Sequence, residues 1–239
     1  MVDSAKITNY DTINEVYLAH VEKLDSWNNL YERPYMISQF PSLEGKDVLD
    51  LGCGSGFYVN YALKKGARVT AIDASRLTID RLSASITSPK LRLICADIAE
   101  PMPFLDSNTF DYVVCSLIIH YVKDWEPVLL ELYRTMKISG KLFISTHHPY
   151  QSLNNPLLKN VNYFDTTFVE DTWGNGEKPF QVHYFTRSLT NTLKPFINSQ
   201  FKIVSIEEPR PNEECKRISP GSYERLNNKP RFLFVTLSK

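Results

Sequence analysis

Cysteine is scarce in this 239-residue chain, and no cysteine pair has the Cys-x-x-Cys spacing of a redox or zinc motif. Two of the four cysteines, Cys95 and Cys115, fall in apolar strand-like segments, where a free buried thiol is expected. The five histidines show neither i, i+4 spacing nor a cysteine partner, so we expect no metal site. This cysteine usage is typical of a reducing compartment, and we expect a cytoplasmic protein.

The chain also lacks an excess of charge and a long hydrophobic run. Lys plus Arg and Asp plus Glu number 27 each, and no basic run exceeds the pairs at 64–65 and 216–217, which argues against a nucleic-acid partner. The longest apolar run, 113–122, is interrupted by Ser116 and His120 and is too short to span a bilayer. The first ten residues have no apolar signal core, so we expect no membrane partner.

The most informative segment is 48–56, Val-Leu-Asp-Leu-Gly-Cys-Gly-Ser-Gly. Its apolar start is typical of a strand buried on both faces, and a helical pattern follows it. Open α/β sheets bind ligands at such strand–turn–helix junctions. Glycines at 52, 54 and 56 permit positive φ and let a ligand approach the main chain. A glycine-rich turn without a ligand is the alternative interpretation.

Strands and helices alternate along most of the chain. Strands are predicted near 48–51, 68–73, 91–95, 110–115, 141–146, 201–207 and 232–237, and helices near 57–65, 75–86, 125–136 and 188–198. This alternation predicts an α/β fold with a Rossmann-like, doubly wound, seven-stranded and mostly parallel sheet that has helices on both faces. Pro195 predicts a kink or an early end in the last of these helices.

The remaining segments surround this core in a single predicted domain, 1–239. Residues 1–44 are predicted to form an N-terminal helical lid, because apolar residues recur at helical spacing from 13 to 24. Residues 45–147 form the cofactor-binding core. Residues 148–187 are aromatic, bear proline and asparagine, and are predicted to be an acceptor-binding insertion after the fifth strand. Residues 188–239 supply the last helix and two strands.

Three carboxylates follow or end three consecutive predicted strands: Asp50, Asp73 and Asp97. An acid at the end of the second strand is the group that accepts hydrogen bonds from a ribose in dinucleotide folds. A nicotinamide fingerprint needs glycine where this chain has Phe57, and no Walker-type lysine follows the loop. A ligand with a ribose and an adenine but no phosphate therefore fits this crevice best.

At these motifs the sequence resembles the class I S-adenosylmethionine-dependent methyltransferases, in the small-molecule branch called type 11. The resemblance covers roughly residues 10–147 and continues more weakly to the C-terminus. The matching segments occur in the family's order and spacing at 48–56, 71–75, 96–98, 103–104 with 110–113, and 117–125. The resemblance implies S-adenosylmethionine as cofactor and S-adenosylhomocysteine as product.

The resemblance also implies roles for individual residues. The glycines at 52, 54 and 56 would pass beneath the methionine and ribose, and the three acids would bind the amino group (Asp50), the ribose hydroxyls (Asp73) and the adenine amino group (Asp97). The other residues implied are Ile98 and Ala74 at the adenine, Ser116 and His120 facing the sulfonium, and Tyr10, Tyr17 and Arg33 from the lid.

Methyl transfer from a sulfonium mainly requires alignment of the reacting groups. His120 is the candidate base or acceptor-orienting residue, and a purely structural histidine is the alternative. The acceptor pocket is predicted to use six residues of the insertion: Tyr163, Phe164, Trp173, His183, Tyr184 and Arg187. We expect in-line methylation of O, N or C on a small molecule by a monomer or homodimer. The alternatives are a cofactor-binding sensor or scaffold, a macromolecular acceptor and, more distantly, a nicotinamide oxidoreductase.

Overall fold

The computed structural model describes residues 10–174 and 179–239. A β-sheet lies at the centre of the protein. In chain order the strands are β1 (Asp47–Leu51), β2 (Arg68–Asp73), β3 (Leu91–Cys95), β4 (Phe110–Ser116), β5 (Met136–His147), β6 (Thr167–Trp173), β7 (Phe180–Thr186), β8 (Lys202–Glu207) and β9 (Phe232–Ser238). Seven of them form one sheet in the order β3-β2-β1-β4-β5-β9-β8, and β6 pairs with β7 separately. Strand β9 runs antiparallel to β5 and β8, and the other pairings in the large sheet are parallel.

Helices cover both faces of this sheet. They are α1 (Tyr10–Val21), α2 (Arg33–Ser38), α3 (Phe57–Lys64), α4 (Arg76–Ser85), α5 (Trp125–Thr135), α6 (Gln151–Asn154), α7 (Leu189–Asn198), α8 (Glu213–Ile218) and α9 (Pro220–Asn228). A π-helical turn, Asn28–Glu32, leads into α2, and 3₁₀ turns occur at Ile119–Tyr121 and Pro156–Leu158. None of the helices in the described ranges is both long and apolar enough to cross a bilayer.

Side-chain alternation along the strands builds two apolar cores. Leu49 and Leu51 of β1 pack in one core with α5 and α7, whereas Val48 packs in the other with α3 and α4. Since both faces of the central strands are covered, apolar residues of β1 are buried on either side of the sheet. Asp50 shares the face of Val48, so a carboxyl group enters the second core just before the glycine loop.

The predicted fold class is confirmed, and the structure differs from the predictions at two places. Helix α7 continues past Pro195 to Asn198, so the early end is wrong; the fully buried Phe196 anchors that last turn against Trp125, with ring centroids 5.8 Å apart. The insertion contains an antiparallel hairpin, β6–β7, where the sequence showed no regular pattern. Buried and more exposed residues alternate over the first part of β7, where apolar and polar residues alternate in the sequence. This alternation is a signal from which the strand could have been predicted.

Candidate cofactor and acceptor site

The glycine loop lies between β1 and α3 and has positive φ at all three glycines, +66° at Gly52, +48° at Gly54 and +80° at Gly56. A Cβ at Gly52 would lie 2.5 Å from the Ile118 side chain, and one at Gly56 would lie 2.5 Å from Leu82. At Gly54 the nearest atom would be 3.8 Å away. Packing and conformation thus require glycine at 52 and 56, and Gly54 leaves a bare surface that a ligand can approach.

Asp73, at the end of β2, holds this loop in place. Its Oδ2 accepts a hydrogen bond from the Gly54 amide and its Oδ1 accepts one from the Ser75 amide, both at 2.9 Å. Burial raises the pKa of the Asp73 carboxyl, and these two amide hydrogen bonds oppose the rise. The Arg81 Nη2 donates to the Gly54 carbonyl at 2.8 Å, a contact that the sequence analysis missed.

Asp50 is a buried carboxyl, 2% exposed, with an unsatisfied oxygen. It accepts a hydrogen bond from the Val59 amide in the first turn of α3, but its Oδ2 has no partner within residues 10–174 and 179–239. Burial, with Asp73 and Glu32 nearby, raises its pKa to about 8. A cationic ligand group at Oδ2 would satisfy both the open acceptor and the charge, so this carboxyl fits the ammonium group of an amino acid.

Residues of the N-terminal helices approach the same loop. Arg33 is buried, donates to Ser55 Oγ at 3.0 Å, and lies 4.4 Å above the Phe57 ring. Burial, together with the Asp73 charge, raises the pKa of Tyr17 to about 12, so this phenol lies within electrostatic reach of Asp73. The structure thus brings Tyr17 and Arg33 to the glycine loop, while the side chain of Tyr10 lies outside the described residues.

A buried glutamate, Glu32, was missed by the sequence analysis. It is fully buried and accepts hydrogen bonds from the hydroxyls of Tyr58 at 2.8 Å, Ser116 at 2.7 Å and Ser145 at 2.6 Å. Burial raises its pKa, and these hydroxyl contacts oppose the rise. Glu32 joins the N-terminal helices to α3, β4 and β5. Nothing local in the sequence marks these partners.

The predicted adenine-binding residues lie at the adjacent ends of β2 and β3. Asp97 is exposed, and its Oδ1 accepts from the Ala99 amide at 2.9 Å. Ile98 is buried, and Ala74 is exposed beside Asp73. Because β2 and β3 are neighbouring parallel strands, these residues share one edge of the sheet. The exposed Asp97 and Ala74 leave room there for an aromatic base.

The loop after β4 carries a non-glycine residue with positive φ, Leu117 at +49°, and a buried histidine. His120 is 2% exposed; its Nδ1 lies 3.5 Å from Thr146 Oγ1 and its ring stacks on His147 at 3.8 Å. Its Nε2 is buried without a partner in the described ranges. Burial, followed by the charges of Arg187 and Arg231, lowers the pKa of His120 to about 3, so the imidazole is neutral.

A cavity of about 280 Å³, here called the His120 cavity, opens between this histidine and the insertion. Within its wall, Asp171 accepts hydrogen bonds from the Tyr184 hydroxyl and the Trp173 indole, both at 3.1 Å. Burial lowers the pKa of Arg187 to about 9. The wall includes His120, Trp125, Thr146, His147, Gln151, Asp171, Tyr184, Arg187 and Arg231.

The six predicted acceptor residues separate into two groups. Tyr184 and Arg187 line the His120 cavity, and the Trp173 ring lies 6.2 Å from the Tyr184 ring. The cavity wall includes neither Trp173 nor the other three predicted residues. The Tyr163 hydroxyl accepts from the Leu189 amide at α7, Phe164 is 75% exposed, and His183 stacks on Phe168. His183 points away from the cavity because adjacent residues of β7 face opposite sides.

The raised pKa of Asp50 has a measurable consequence for stability. Between pH 4 and about 8 the folded state retains a proton that the unfolded chain has lost, so the free energy of unfolding falls as pH rises. This group contributes up to about 1.4 kcal/mol per pH unit. We expect Asp50→Asn to become more stable relative to the wild type as the pH rises from 5 to 8. The measurement is the free energy of unfolding of each protein in urea, without cofactor.

Asp106→Asn, at an exposed aspartate, is the matched control, and its free energy of unfolding should change with pH in parallel with that of the wild type. Parallel curves for Asp50→Asn as well would contradict the assignment of a protonated Asp50.

Together, the doubly wound sheet, the glycine loop and the acids at neighbouring strand ends define an α/β protein with a nucleoside-binding crevice. Residues 49–144 match the family model described as "Methyltransferase domain". An uncharacterized protein of Haemophilus influenzae is 26% identical over 98% of each chain. A ubiquinone biosynthesis O-methyltransferase of Pseudomonas entomophila is 28% identical over 61% of this chain and 63% of its own length.

Among solved structures, an S-adenosylmethionine dependent methyltransferase from Mesorhizobium loti has a TM-score of 0.71 and 23% identity, covering 87% of this chain and 97% of that one. At this identity the likeness concerns the fold. Residues 49–144 therefore match a methyltransferase domain of the type 11 branch, and the chain has the fold of solved class I S-adenosylmethionine-dependent methyltransferases. The resemblance found in the sequence is therefore confirmed, and with it the cofactor.

Proposed function

We propose that this enzyme methylates a small molecule held in the His120 cavity, by in-line displacement. The observation that carries the proposal is the cavity of about 280 Å³ beside a buried imidazole whose Nε2 has no partner in the described part of the chain. A concave site of this size suits a small ligand better than a polymer. The β6–β7 hairpin supplies one wall and would keep water from the reacting atoms.

The residues around the glycine loop would bind the cofactor. Asp50 would pair with its ammonium group, Arg33 with its carboxylate, and Asp73 with the ribose hydroxyls, while Asp97 and Ile98 would border the adenine. Ser116, held by Glu32, lies at the end of β4 where the loop leads to His120. When bound, the cofactor supplies a methyl group whose bond to sulfur breaks, its electron pair returning to sulfur, as the acceptor's lone pair forms the new bond.

His120 would position the acceptor. If Nδ1–H donates to Thr146 Oγ1, the Nε2 of the neutral imidazole is left as an acceptor for an O–H or N–H of the bound molecule. Its low pKa makes it a weak base before the reaction, so its main contribution is to fix the direction of the acceptor lone pair. As the new bond forms, the acceptor proton would pass along this hydrogen bond to the lone pair of Nε2.

The test uses S-adenosylmethionine labelled in its methyl group. The enzyme and this cofactor are incubated in three separate reactions, with a filtered metabolite extract, a protein fraction or an RNA fraction. We expect label in a small-molecule product only. Label in protein or RNA would favour a macromolecular acceptor, and stoichiometric cofactor binding without any transfer would favour a sensor or scaffold.

The same experiment tests His120. We expect His120→Ala and His120→Gln to lower kcat about 100-fold, because a small misplacement of the reacting atom has this effect, with affinity for S-adenosylhomocysteine within about twofold of wild type. The wild-type pH profile should show no titration near pH 6.5. His183→Ala, at a histidine outside the cavity wall, is the control. Near wild-type turnover of both His120 variants from pH 6 to 9 would contradict the role.

A further inference from the structure

A second arginine, Arg231, lines the His120 cavity, is half-buried and is not used by the proposed function. It directly precedes β9, whose antiparallel direction places its first residue, Phe232, opposite His147 at the end of β5. The His148 amide donates to the Arg231 carbonyl at 3.0 Å. The backbone therefore holds this arginine at the same edge of the sheet as the other site residues.

The guanidinium of Arg231 is fixed in orientation but keeps an unused donor. Its Nη1 donates to Gln151 Oε1 at 2.9 Å, and the amide of Gln151 is oriented in turn by a hydrogen bond from Nε2 to the Pro230 carbonyl. Its Nε is buried and has no hydrogen-bond partner among residues 10–174 and 179–239. A buried N–H without an acceptor is costly, so this edge of the guanidinium is a binding position for an oxygen.

Aromatic rings hold the same guanidinium from the sides. Its central carbon lies 5.0 Å from the Trp27 ring and 5.9 Å from the Phe232 ring. Such contacts stabilise a cation but offer no hydrogen-bond acceptor to Nε. They restrict the guanidinium to one plane, which is the arrangement needed for a directional pair with a carboxylate.

The charge of Arg231 has no direct ion-pair partner. No carboxylate of the described residues forms an ion pair with it, and Asp171 in the cavity wall already accepts from Tyr184 and Trp173. Burial lowers the pKa of Arg231, and the charge of Asp171 opposes this from a distance. A carboxylate of a ligand in direct contact with the guanidinium would offset the cost of removing this cation from water.

The other basic groups of the cavity do not have this property. Arg187 donates to the carbonyls of Phe185, Val122 and Lys123 and stacks 4.5 Å above Trp125, so its donors are occupied. Burial lowers the pKa of both His120 and His147, which leaves them neutral. The wall of the cavity therefore holds two arginine cations and the Asp171 carboxylate, a net charge of +1, and the free donor edge belongs to Arg231.

We propose that the acceptor is a carboxylic acid, whose carboxylate pairs with Arg231 while its reacting atom lies beside His120. The rings of His120, His147 and Phe232 form a stacked row between the two ends, with successive centroid distances of 3.8 Å and 6.3 Å. A single carboxylate matches the net charge of +1 on the two arginines and Asp171, whereas a phosphate dianion would exceed it. This inference rests on the proposed function of small-molecule methylation.

The test measures binding to enzyme loaded with S-adenosylhomocysteine. The ligands are aromatic and aliphatic monocarboxylates, each paired with its own carboxamide and, where one exists, its phosphomonoester. We expect the best acids to bind wild type about tenfold or more tightly than their amides, and Arg231→Gln to lose that preference, because a charge-assisted hydrogen bond is removed. Arg231→Lys should keep part of it, and Arg217→Gln, at an exposed arginine of α8, should keep all of it.

Unchanged affinity for S-adenosylhomocysteine and a near wild-type melting temperature would show that the Arg231 variants are folded. The proposal is wrong if no acid binds better than its amide, if the preference survives Arg231→Gln, or if phosphomonoesters bind more tightly than carboxylates. The product from the metabolite extract gives an independent readout, since it should carry a carboxylate that carbodiimide coupling removes. A neutral labelled product would contradict this inference alone. The absence of any labelled small molecule would contradict the proposed function.

Discussion

Replacing Asp73 by alanine is expected to weaken binding of S-adenosylhomocysteine about 100-fold or more. The carboxylate accepts hydrogen bonds from the amides of Gly54 and Ser75, so its loss releases the glycine loop and also removes the proposed partner of the ribose. Loss of several hydrogen bonds to a charged group accounts for an effect of this size. Titration calorimetry with the purified protein would measure it.

Two variants show whether the effect belongs to Asp73. Asp73→Asn keeps one oxygen acceptor for the loop, so it should weaken binding less than alanine does. Asp80→Ala, at an exposed residue of the adjoining helix α4, should bind like the wild type. An Asp73→Ala protein that binds S-adenosylhomocysteine normally would refute the position of the cofactor crevice.

Replacing Glu32 by alanine is expected to lower the free energy of unfolding by about 3 kcal/mol. Three hydroxyl donors, on Tyr58, Ser116 and Ser145, would lose their common acceptor inside the protein. Removing a buried, fully hydrogen-bonded carboxylate leaves these donors unsatisfied, which is among the costlier changes a core can undergo. Urea unfolding of the cofactor-free protein would measure the loss.

The isosteric variant separates hydrogen bonding from charge. Glu32→Gln keeps an oxygen acceptor for the serines, so it should cost less than alanine. Glu22→Ala, at an exposed glutamate just after α1, should change the free energy of unfolding by less than about 0.5 kcal/mol. If Glu32→Ala were as stable as Glu22→Ala, the hydroxyl cluster would not stabilise the fold.

Local patterns were sufficient to predict most of the central sheet. The strands β1 to β4 are short apolar runs between turn or helix signals, and each ends near its predicted residue. The helix predicted near 75–86 is α4, and Ser75 caps it, since its Oγ accepts from the Thr78 amide. These features depend on residues that are neighbours in sequence, which is why sequence analysis could find them.

The acids of the cofactor crevice were predicted by position but not in detail. The placement of Asp50, Asp73 and Asp97 at one edge follows from parallel strands that pair in the order β3-β2-β1. That Asp73 also fixes the loop through Gly54, and that Asp50 keeps an unpartnered oxygen, depends on side-chain directions and burial. Neither can be read from spacing alone.

The acceptor side was predicted least well. Phe164 and His183 were selected for their chemistry, but one is exposed and the other faces away across a strand whose pairing was not foreseen. Glu32 and Arg231 were overlooked because their partners are distant in sequence: Glu32 bonds to Ser145, 113 residues away, and Arg231 bonds to Gln151, 80 residues away.

By itself the sequence determined the doubly wound sheet, the glycine loop and the cofactor, because hydrophobic period, backbone freedom at glycine and strand-end acids are encoded within short segments. Only the tertiary structure decided which charges are buried, which hydrogen bonds are left open and which side chains surround the acceptor. The reason is physical: burial and unpaired donors are properties of the space between segments, and that space exists only once distant segments have packed together.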